Sequence, residues 1–488
     1  MHRAASELTA ARARVRTRLY LPGDPGAKRR TPSDLNVNQQ KTSQYPVYRT
    51  SPQKTSRPPG RASFPREGPR QVRSRTPLTW PGELARILSV ENSGVPVTAE
   101  RLVVVGGGPA ALEAVRAYRE AGADGEVVLV SADEYLPYNR PPLSKDFLRG
   151  ESAEDALPLE DGDFYRRHGI EVRLETRAQA LDPGRRVVTL SDGETFGYGW
   201  CILATGASPK PLPVPGAEGP GVRYLRSRRQ ARELRGAAAA ARTAVVVGSG
   251  FIGCEAAASL ARRGLAVTLV SMEDGPQAAR LGNGASQVLR AWLEDDGVSL
   301  RLGAEVEAIE GGRVRLAGEA DAEGELILVA GGVEPEAGIA AEAGLALEAG
   351  RVKVDEHMRS SVARVLAAGD VAFAFNGAAG RHLAVEHWGE ALAMGRVAGQ
   401  TAAGAQASWA EVPGFWSAIG DRTLKYAAWG DGFDDASLVD HGDGAFTVWY
   451  SQEGVTVGVL THDADHDYER GRRLIEQRQP PPQLPHHA

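Results

Sequence analysis

The chain has 488 residues, of which 42% are hydrophobic, and this is enough for about three ordinary domains with a sizeable core. Its two cysteines, Cys201 and Cys254, exclude a disulfide framework and fit a reducing compartment, and no apolar run reaches the roughly 20 residues of a membrane helix. The net charge of −5 is unevenly spread, because residues 1–98 carry 18 Lys and Arg against 6 Asp and Glu, which leaves −17 on the remainder.

The basic segment 1–98 is rich in Arg, Pro, Ser and Gln and shows no sustained periodicity. Such a composition cannot bury enough apolar surface to offset its ordering entropy, so we predict a disordered extension. It lacks the apolar stretch of a signal peptide, although Arg-rich, acid-poor leaders also occur as organelle transit peptides. We expect a cytoplasmic protein. Organelle targeting stays open, as does the question of whether this segment belongs to the native protein.

The first predicted folded unit is a strand, a glycine-rich turn and a helix. The apolar run Leu102–Val105 predicts a buried parallel strand. Gly106, Gly108 and Ala111 follow in a G-x-G-x-x-A pattern. In this pattern the first glycine allows a tight turn, the second lets the backbone approach a pyrophosphate, and the small third residue lets helix and strand pack closely. The helix N-terminus then faces the phosphates.

A second predicted strand, Val127–Val130, leads to Asp133, whose carboxylate can accept from a ribose hydroxyl pair. The next segment, "PYNRPPLSKDFLRG", carries Arg140 and Lys145 and no cysteine. Many flavin enzymes that bind a dinucleotide in this way carry a redox-active cysteine pair here. From the residues alone, Lys145 is better explained as a surface lysine that opens a helix.

The same pattern recurs in "TAVVVGSGFIGCEAAASLARRGLAVTLVSME". A predicted strand at 244–247 precedes Gly248, Gly250 and Gly253, and a second strand follows at 267–270. One such motif is a weak signal, but two copies in the same strand–turn–helix–strand frame argue against an ordinary glycine-rich turn. Two dinucleotide sites in one chain indicate one bound flavin and one exchangeable nicotinamide.

Two shorter stretches support this interpretation. "CILATGASP" predicts a buried strand that ends in Ala204, Thr205 and Gly206, where small residues let the chain pass close to a cofactor. "RVLAAGDVA" predicts another strand, which ends at Gly369 and Asp370, and an Asp at this place can accept from a sugar-like hydroxyl. Either stretch alone is an ordinary strand–turn. Their order in the chain, one after each glycine-rich unit, is what favours a cofactor-binding role.

With these motifs in order, the chain resembles the FAD-dependent pyridine nucleotide reductases of the ferredoxin (rubredoxin/redoxin) reductase type, including the apoptosis-inducing-factor branch. The resemblance runs from about residue 101 to 475. It rests on the motifs "VVVGGGPA", "LPYNRPPLSKDFL", "ILATGASP", "VRYLRS", "VVVGSGFIGCEAA", "AGGVEPE", "VLAAGDVA", "VEHWGEALAMG" and "GFWS".

The resemblance implies two sets of cofactor-binding residues. Those implied for FAD are Gly106, Gly108, Pro109, Ala110, Ala111, Asp133, Arg140, Lys145, Ala178, Ala204, Thr205, Gly206, Arg226, Gly369, Asp370, Glu386, His387 and Trp388. Those implied for NAD(P)H, or for completing its cleft, are Gly248, Gly250, Phe251, Ile252, Gly253, Glu255, Glu273, Gly332 and Trp416.

Three of these residues are also the candidate catalytic residues that the resemblance implies. Lys145 would lie beside the flavin, where a positive charge offsets the charge that develops on the reduced ring and orients the nicotinamide. Glu386 and His387 would lie by the flavin and either tune proton release or serve only as cofactor scaffold. No metal site is expected.

The sequence departs from the family pattern in the second unit. The acid expected at the end of its second strand is Ser271, and Glu273 lies two residues further on. Glu273 favours NADH, since a 2′-phosphate would require Arg. Arg280 could reach such a phosphate, but a solvated helix residue is the simpler interpretation.

A second departure concerns the partner surface. "GFWS" continues with Ala418 and Ile419, where family members often carry an acid. Many ferredoxin partners are acidic, so their reductases present basic patches, yet this body is acidic overall. "RYLRSRRQARELR" is a local exception. A charge run is usually a solvated face, and a docking role for it stays open.

We therefore predict an α/β fold with two Rossmann-like domains, glutathione-reductase-like with three-layer ββα packing, and a C-terminal α+β domain. The FAD-binding domain would span 99–215 and 336–405, the NAD(P)-binding domain 216–335, and the C-terminal domain 406–478. In the last of these, "AFTVWYSQ" and "VTVGVLTH" predict a hairpin. The tail 479–488 is predicted to be disordered.

The predicted activity is that of an FAD-dependent NAD(P)H oxidoreductase, similar to EC 1.18.1, that passes electrons to a ferredoxin-like carrier. NADH is the expected donor, no nucleic-acid partner is expected, and a homodimer stays open. A disulfide reductase would need two close cysteines behind the first unit, which Cys201 and Cys254 do not provide. The alternatives that stay open are an NADH-gated interaction protein of the apoptosis-inducing-factor kind and a slow NADH oxidase.

Overall fold

The computed structural model describes residues 16–20 and 101–483. Most of the predicted basic extension, and residues 484–488 of the predicted tail, therefore lie outside the described residues. Within the described ranges, no helix is both long enough and apolar enough to cross a bilayer.

Two five-stranded parallel sheets form the centre of the fold, and each is followed by a three-stranded antiparallel sheet. The first parallel sheet has the spatial order Val365–Ala367, Trp200–Leu203, Leu102–Val105, Val127–Val130 and Ile170–Arg173. Its antiparallel companion consists of Ala178–Asp182, Val187–Leu190 and Thr195–Gly197. The second parallel sheet has the order Val222–Tyr224, Leu326–Val329, Thr243–Val247, Ala266–Ser271 and Val298–Leu302. Its companion consists of Val306–Glu310, Arg313–Leu316 and Ala322–Glu323.

The strand Thr243–Val247 shows how the layers form. Val245 and Val247 share a buried cluster with Val314 of the antiparallel companion. Ala244 and Val246 belong instead to the cluster that contains Ala257 of the following helix. Successive side chains of a strand point to opposite faces, so one apolar run supplies both interfaces. The repeated arrangement confirms the predicted α/β fold with two Rossmann-like units.

The helices lie mainly between successive parallel strands. The α-helices are Pro109–Glu120, Asp146–Arg149, Gly162–Arg167, Arg228–Ala240, Phe251–Arg262, Ala278–Asp295, Gly338–Glu342, Trp388–Ala402 and Asp465–Glu476, and the 3₁₀ turns are Pro141–Ser144 and Glu154–Ala156.

Helices Pro109–Glu120 and Trp388–Ala402 pack unusually closely. A Cβ added to Gly395 would lie 2.3 Å from Ala110 O, and one added to Gly399 would lie 2.1 Å from Ala114 O. The matching four-residue spacing means that the helices run parallel. The second helix begins at Trp388, seven residues before Gly395. It therefore projects about 10 Å past Ala110 on the side of the first glycine turn.

Two smaller sheets connect the units. Ala207–Pro209 pairs in antiparallel fashion with Val333–Pro335. A four-stranded sheet has the order Leu347–Glu348, Arg351–Val354, Ala372–Asn376 and Arg381–Ala384. The chain thus leaves the first unit at 207–209 and returns beside the same strand at 333–335, so the second unit is an insertion into the first.

The C-terminal part is a six-stranded sheet covered by the helix Asp465–Glu476. The predicted hairpin is confirmed, because Ala445–Gln452 pairs in antiparallel fashion with Val455–His462. The sheet has the order Arg16–Tyr20, Asp435–Gly442, Ala445–Gln452, Val455–His462, Arg422–Ala428 and Gly414–Ile419.

Two details differ from the disorder predicted at the ends of the chain. Arg16–Tyr20 forms an edge strand that runs parallel to Asp435–Gly442. An edge strand pairs through backbone hydrogen bonds, so the side chains of a short basic run do not reveal it. Gln479, the first residue of the predicted tail, accepts a backbone hydrogen bond from Thr456 N at 2.9 Å.

Candidate active site

The first glycine turn has the shape that a dinucleotide phosphate requires. Gly106 has φ +141°, and a Cβ there would lie 2.0 Å from Ala204 O, so only glycine lets these two chain segments meet. At Gly108 a Cβ would have one neighbour, Arg140 Nη2 at 3.8 Å. The N-terminus of the helix that begins at Pro109 therefore opens toward a guanidinium group.

The Arg140 side chain is a cation beside the first glycine turn. Among the residues that the structure describes, it forms no salt bridge, and its guanidinium lies 5.6 Å from the ring centroid of Tyr138. Burial, and next the charge of Arg226, lower the pKa of Arg140 below its ordinary value. A desolvated guanidinium facing a helix N-terminus is a site for an anion such as a pyrophosphate.

Asp133 lies at the other end of the turn. Asp133 Oδ2 accepts from the Tyr138 hydroxyl at 2.9 Å. A Cβ added to Gly107 would lie 4.0 Å from the Cβ of Asp133. Burial raises the pKa of Tyr138 to about 12, so this phenol stays a donor. Ala178 begins the neighbouring antiparallel strand, next to Thr176, whose amide donates to Ser131 O at 2.9 Å.

A second charged group joins the ends of several strands. Arg226 forms an ion pair with Asp370, and its Nε donates to Ala207 O at 3.1 Å. Arg351, which is not among the predicted site residues, pairs with Glu386 and donates from Nε to Asp370 O at 3.2 Å. Arg351 thus connects two predicted site residues.

Small residues surround this charged group. Thr205 Oγ1 donates to the backbone oxygen of Glu336 at 2.6 Å, and Gly206 has φ +72°. A Cβ at Gly369 would lie 3.1 Å from Ala110 Cβ. Gly332, with φ +102°, accepts from Lys210 N at 2.9 Å beside the chain crossing.

Lys145 is buried and not on the surface, with 4% of its area exposed, and Glu255 is equally buried at 4%. Lys145 Nζ lies 2.6 Å from Glu255 Oε2 and donates to Pro141 O at 3.1 Å. It also lies 5.1 Å from the ring centroid of Trp416. The interpretation of Lys145 as a surface residue is therefore wrong, although Lys145 does stand at the start of the helix Asp146–Arg149.

Two hydroxyls complete the surroundings of Glu255. Ser144 Oγ donates to Oε2 at 2.5 Å, and Ser417 Oγ donates to Oε1 at 2.7 Å. The four residues come from the first unit, the second unit and the C-terminal sheet. Neither serine is among the predicted site residues, although both lie inside the quoted motifs "PPLSK" and "GFWS".

His387 contributes a polar atom that the protein leaves unsatisfied. Its Nδ1 is buried and has no hydrogen-bond partner in the described part of the chain. The ring packs against Phe415 at a centroid distance of 4.4 Å. Burial, and next the charge of Arg280, lower the pKa of His387 to about 3, so the imidazole is neutral at physiological pH. Trp388 follows as the first residue of its helix.

The second glycine turn repeats the close approach of the first. Gly248 has φ +108°, and a Cβ there would lie 2.4 Å from Ala330 O, while a Cβ at Gly253 would lie 2.0 Å from Gly248 O. Gly250 caps the helix in which Phe251 and Ile252 form the first turn. The Phe251 ring packs edge-on against Phe415 at 4.7 Å, which joins this turn to the surroundings of His387.

The ribose end of the second turn differs from the first. Ser271 Oγ is hydrogen-bonded to Ser249 Oγ at 2.6 Å and accepts from Glu273 N at 3.1 Å. Glu273 Oε2 accepts from Ala279 N at 2.9 Å. The serine is fully buried and satisfied, so Glu273 is the acid at this end of the turn.

The cysteines form no disulfide. Cys201 and Cys254 are both buried and free, and burial raises the pKa of the Cys201 thiol to about 12 and that of Cys254 further still. Neither thiol is a nucleophile at neutral pH. No cluster of metal-ligating side chains is found in the described ranges.

These observations fit two adenine dinucleotides. Two turns that admit only glycine, a guanidinium facing a helix N-terminus and the unsatisfied Nδ1 of His387 are groups of the kind that a dinucleotide can partner. The buried ion pair Lys145–Glu255 connects the segment after the second strand of the first unit with the helix that follows the second glycine turn.

Comparison with known families agrees with this geometry. Residues 100–395 match the model of the pyridine nucleotide-disulphide oxidoreductase family. Residues 414–484 match a model described as reductase C-terminal.

Known proteins similar to the chain include several reductases. A rubredoxin-NAD(+) reductase of Pseudomonas putida is 36% identical over 329 residues, which are 66% of this chain and 85% of that protein. Apoptosis-inducing factor 3 of Homo sapiens is 31% identical over 377 residues, 75% of this chain and 62% of that protein. The crystal structure of a covalent putidaredoxin reductase–putidaredoxin complex matches with a TM-score of 0.75 and 27% identity, over 78% of this chain and 94% of that chain.

Proposed function

The chain belongs to the pyridine nucleotide-disulphide oxidoreductase family, and we propose that it is an FAD-dependent NAD(P)H oxidoreductase that delivers electrons to a small iron–sulfur carrier. Its activity is of the ferredoxin/rubredoxin–NAD(P)⁺ reductase type, and its cofactors are FAD and NAD(P)H. The observation that carries the proposal is the buried ion pair Lys145–Glu255 in the place where a disulfide reductase has its cysteines. When bound, FAD supplies the redox chemistry, accepting two electrons from NAD(P)H and releasing them singly.

The protein's contribution begins with holding FAD. We propose that Gly106 and Gly108 admit the pyrophosphate to the helix N-terminus, where Arg140 neutralises it. Asp133 would bind the adenosine ribose, and the Arg226–Asp370 pair would meet the middle of the cofactor. Each group is already fixed by contacts within the protein, so little ordering is left for binding to accomplish.

Lys145 acts by position and charge. It is held by Glu255 and Pro141, and its ammonium group is removed from water. A fixed positive charge in a dry site is much stronger than one in water, so it offsets negative charge that develops beside it. We propose that Lys145 faces the flavin ring and that Trp416 and Phe251 exclude water on its flanks.

His387 and Glu386 have different roles in this proposal. His387 is neutral, and its unsatisfied Nδ1 can exchange a hydrogen bond with a bound cofactor. Glu386 is paired with Arg351, so it serves as scaffold for the strand ends at Asp370. Proton tuning is therefore assigned to His387 as a hydrogen-bonding group and not as an imidazolium.

We propose NADH as the physiological donor. Glu273 offers a carboxylate near the ribose end of the second turn, held by Ala279 N. A 2′-phosphate would meet Glu273 without a matched arginine.

The chain crossing supports the domain boundaries. We assign 99–215 and 336–405 to FAD binding, 216–335 to NAD(P)H binding and 406–478 to the C-terminal domain. The paired strands Ala207–Pro209 and Val333–Pro335 lie close to both junctions. A cytoplasmic location is proposed on the free, buried cysteines, and homodimer formation is left to measurement.

The test is anaerobic titration of the purified flavoprotein with NADH, followed by a screen of [2Fe–2S] ferredoxins and rubredoxins as acceptors. Rapid bleaching of the flavin and fast carrier reduction support the proposal. A long-lived flavin–NAD complex with slow turnover and no carrier reduction would contradict it and favour an NADH-gated interaction protein, toward which the similarity to apoptosis-inducing factor 3 points. Rapid peroxide formation with no carrier reduction would indicate an oxidase.

A further inference from the structure

A basic groove lies beside the segment that follows Lys145. It is an open depression of about 670 Å³ between the helix Arg228–Ala240 and the chain around 147–154. Its lining includes Phe147, Glu154, Arg232, Arg235, Ala239 and Arg263. The groove therefore combines apolar surface with three guanidinium groups.

Two of these arginines are not neutralised. Arg263 Nη1 donates to Leu148 O at 2.6 Å, and Arg235 Nη1 donates to Ser152 O at 3.5 Å. In the part of the chain that the structure describes, neither forms a salt bridge. Burial, and next the charge of Arg235, lower the pKa of Arg263. The protein thus holds two like charges near one another, which an external anion would relieve.

The one acid in the lining is already engaged. Glu154 lies 2.9 Å from Arg228 Nη2 and 3.5 Å from Arg232 Nε. Arg232 remains 53% exposed. The groove therefore keeps a net positive charge on a body whose residues 99–488 carry −17.

The groove adjoins the proposed reaction site. Phe147, which lies beneath Arg235 at 4.9 Å from its guanidinium carbon, is two residues beyond Lys145. Arg263 directly follows the helix that carries Glu255, and eight residues correspond to about 12 Å along a helix. A molecule seated in the groove would lie next to the short segment that links this surface to the buried ion pair.

We propose that this groove, lined by Arg232, Arg235 and Arg263 over Phe147, docks an acidic face of the electron carrier. The inference rests on the proposed function and adds the place at which the partner binds. Arginine is one of the residue types enriched at protein interfaces. The acidic body repels an acidic carrier over most of its surface, so a local basic groove also steers the encounter.

A double charge reversal tests the docking site. In Arg235→Glu with Arg263→Glu, we expect the KM for an acidic plant-type [2Fe–2S] ferredoxin to rise at least about 5-fold at low salt, with a weaker salt dependence than in the wild type. The stopped-flow rate of flavin reduction by NADH should not change. The matched control is Arg185→Glu with Arg301→Glu, two exposed arginines elsewhere, which should leave the KM near the wild-type value.

Two further measurements keep the inference falsifiable. Arg235→Gln with Arg263→Gln should raise the KM in the same direction if the reversed variant does not fold. A fluorescein-labelled deca-glutamate peptide, followed by anisotropy, should bind the wild type and the control at least about 10-fold more tightly than the groove variants. Equal peptide affinity for all variants, or no peptide binding at all, would overturn the docking site.

The outcomes separate the two proposals. A wild-type protein that reduces no carrier contradicts the proposed function, whatever the peptide does. A wild-type protein that reduces the ferredoxin with the same KM in the groove variants keeps the function and removes the docking site.

Discussion

Lys145 Nζ lies 2.6 Å from Glu255 Oε2, and this ion pair joins the first glycine-turn unit to the helix of the second. Ser144 and Ser417 donate to the same carboxylate, so one buried acid is a meeting point for three parts of the chain. A buried pair is costly to desolvate and adds little stability of its own. Its presence is better explained by a need for a fixed charge at this place.

Replacing the lysine tests that need. Lys145→Ala should lower the stopped-flow rate of flavin reduction by NADH by at least about 10-fold, because the fixed charge is lost. FAD should stay bound, since Arg140 and the first glycine turn are untouched. The control Lys353→Ala removes an exposed lysine paired with Glu348 and should not change the rate. An unchanged rate in Lys145→Ala would eliminate the role assigned to this residue.

Ser417 should position Glu255 from the C-terminal sheet. Ser417→Ala removes a donor to a buried carboxylate and should lower the free energy of unfolding by about 2 kcal/mol, measured by urea denaturation. Ser437→Ala is the control, because the Ser437 hydroxyl donates to Asp435, a partly buried carboxylate two residues away in the same strand.

The same variant should also affect the chemistry. With one donor lost, Glu255 holds Lys145 less firmly, so the stopped-flow rate of flavin reduction by NADH should fall relative to the wild type. A loss of stability without any change in this rate would show that Ser417 is structural only.

Gly106 should be indispensable for the flavin. In Gly106→Ala the new Cβ would meet Ala204 O at 2.0 Å with the backbone at φ +141°, so the turn must move. We expect purified protein with little or no yellow colour, measured as the ratio of flavin to protein absorbance. Gly236 lies in a helix and has open space around it, so Gly236→Ala should keep full flavin content. Its free energy of unfolding should rise by about 0.5–1 kcal/mol. A Gly106→Ala protein with full flavin content would contradict the role of the first glycine turn in binding FAD.

Glu390 should make stability depend on pH. It is buried, accepting from Trp409 Nε1 at 2.8 Å and Gly414 N at 3.2 Å, and burial raises its pKa from 4.5 to about 7. The folded protein then binds the proton more tightly than the unfolded chain, so this contribution is full below pH 4.5 and is lost as pH rises through about 7.

Comparison with Glu390→Gln isolates this effect from other titrating groups. The stability difference between wild type and variant should change by about 3 kcal/mol between pH 4.5 and 8, with the wild type losing more as pH rises. Denaturation midpoints at several pH values measure it. Parallel pH profiles for the two proteins would show that Glu390 does not titrate in this range.

Much of the fold could be predicted from local patterns. Leu102–Val105 and Val127–Val130 were bounded correctly, because a short apolar run before a glycine turn has few other interpretations. The hairpin at 445–462 could be predicted from two runs rich in β-branched and aromatic residues on either side of Glu453 and Gly454. Arg16–Tyr20 was missed because an edge strand paired through its backbone leaves no such pattern.

The site was only partly visible in the sequence. Glycines and acids at strand ends carry a local signal, so they could be predicted. Ser417 and Arg351 act on residues 162 and 35 positions away, and such a meeting depends on tertiary packing that one sequence does not display. Lys145 illustrates the limit, since its local context favoured the surface and the helix carrying Glu255 buried it.

In the proposed mechanism, two dinucleotide sites meet at a fixed lysine without a sulfur relay. Anaerobic stopped-flow mixing of the purified protein with NADH, monitored by flavin absorbance and then by ferredoxin reduction, tests this mechanism most directly. We expect a yellow protein that bleaches within one mixing experiment and passes its electrons to the carrier. A protein that stays colourless after incubation with FAD, or a bound flavin that NADH does not reduce, would contradict it.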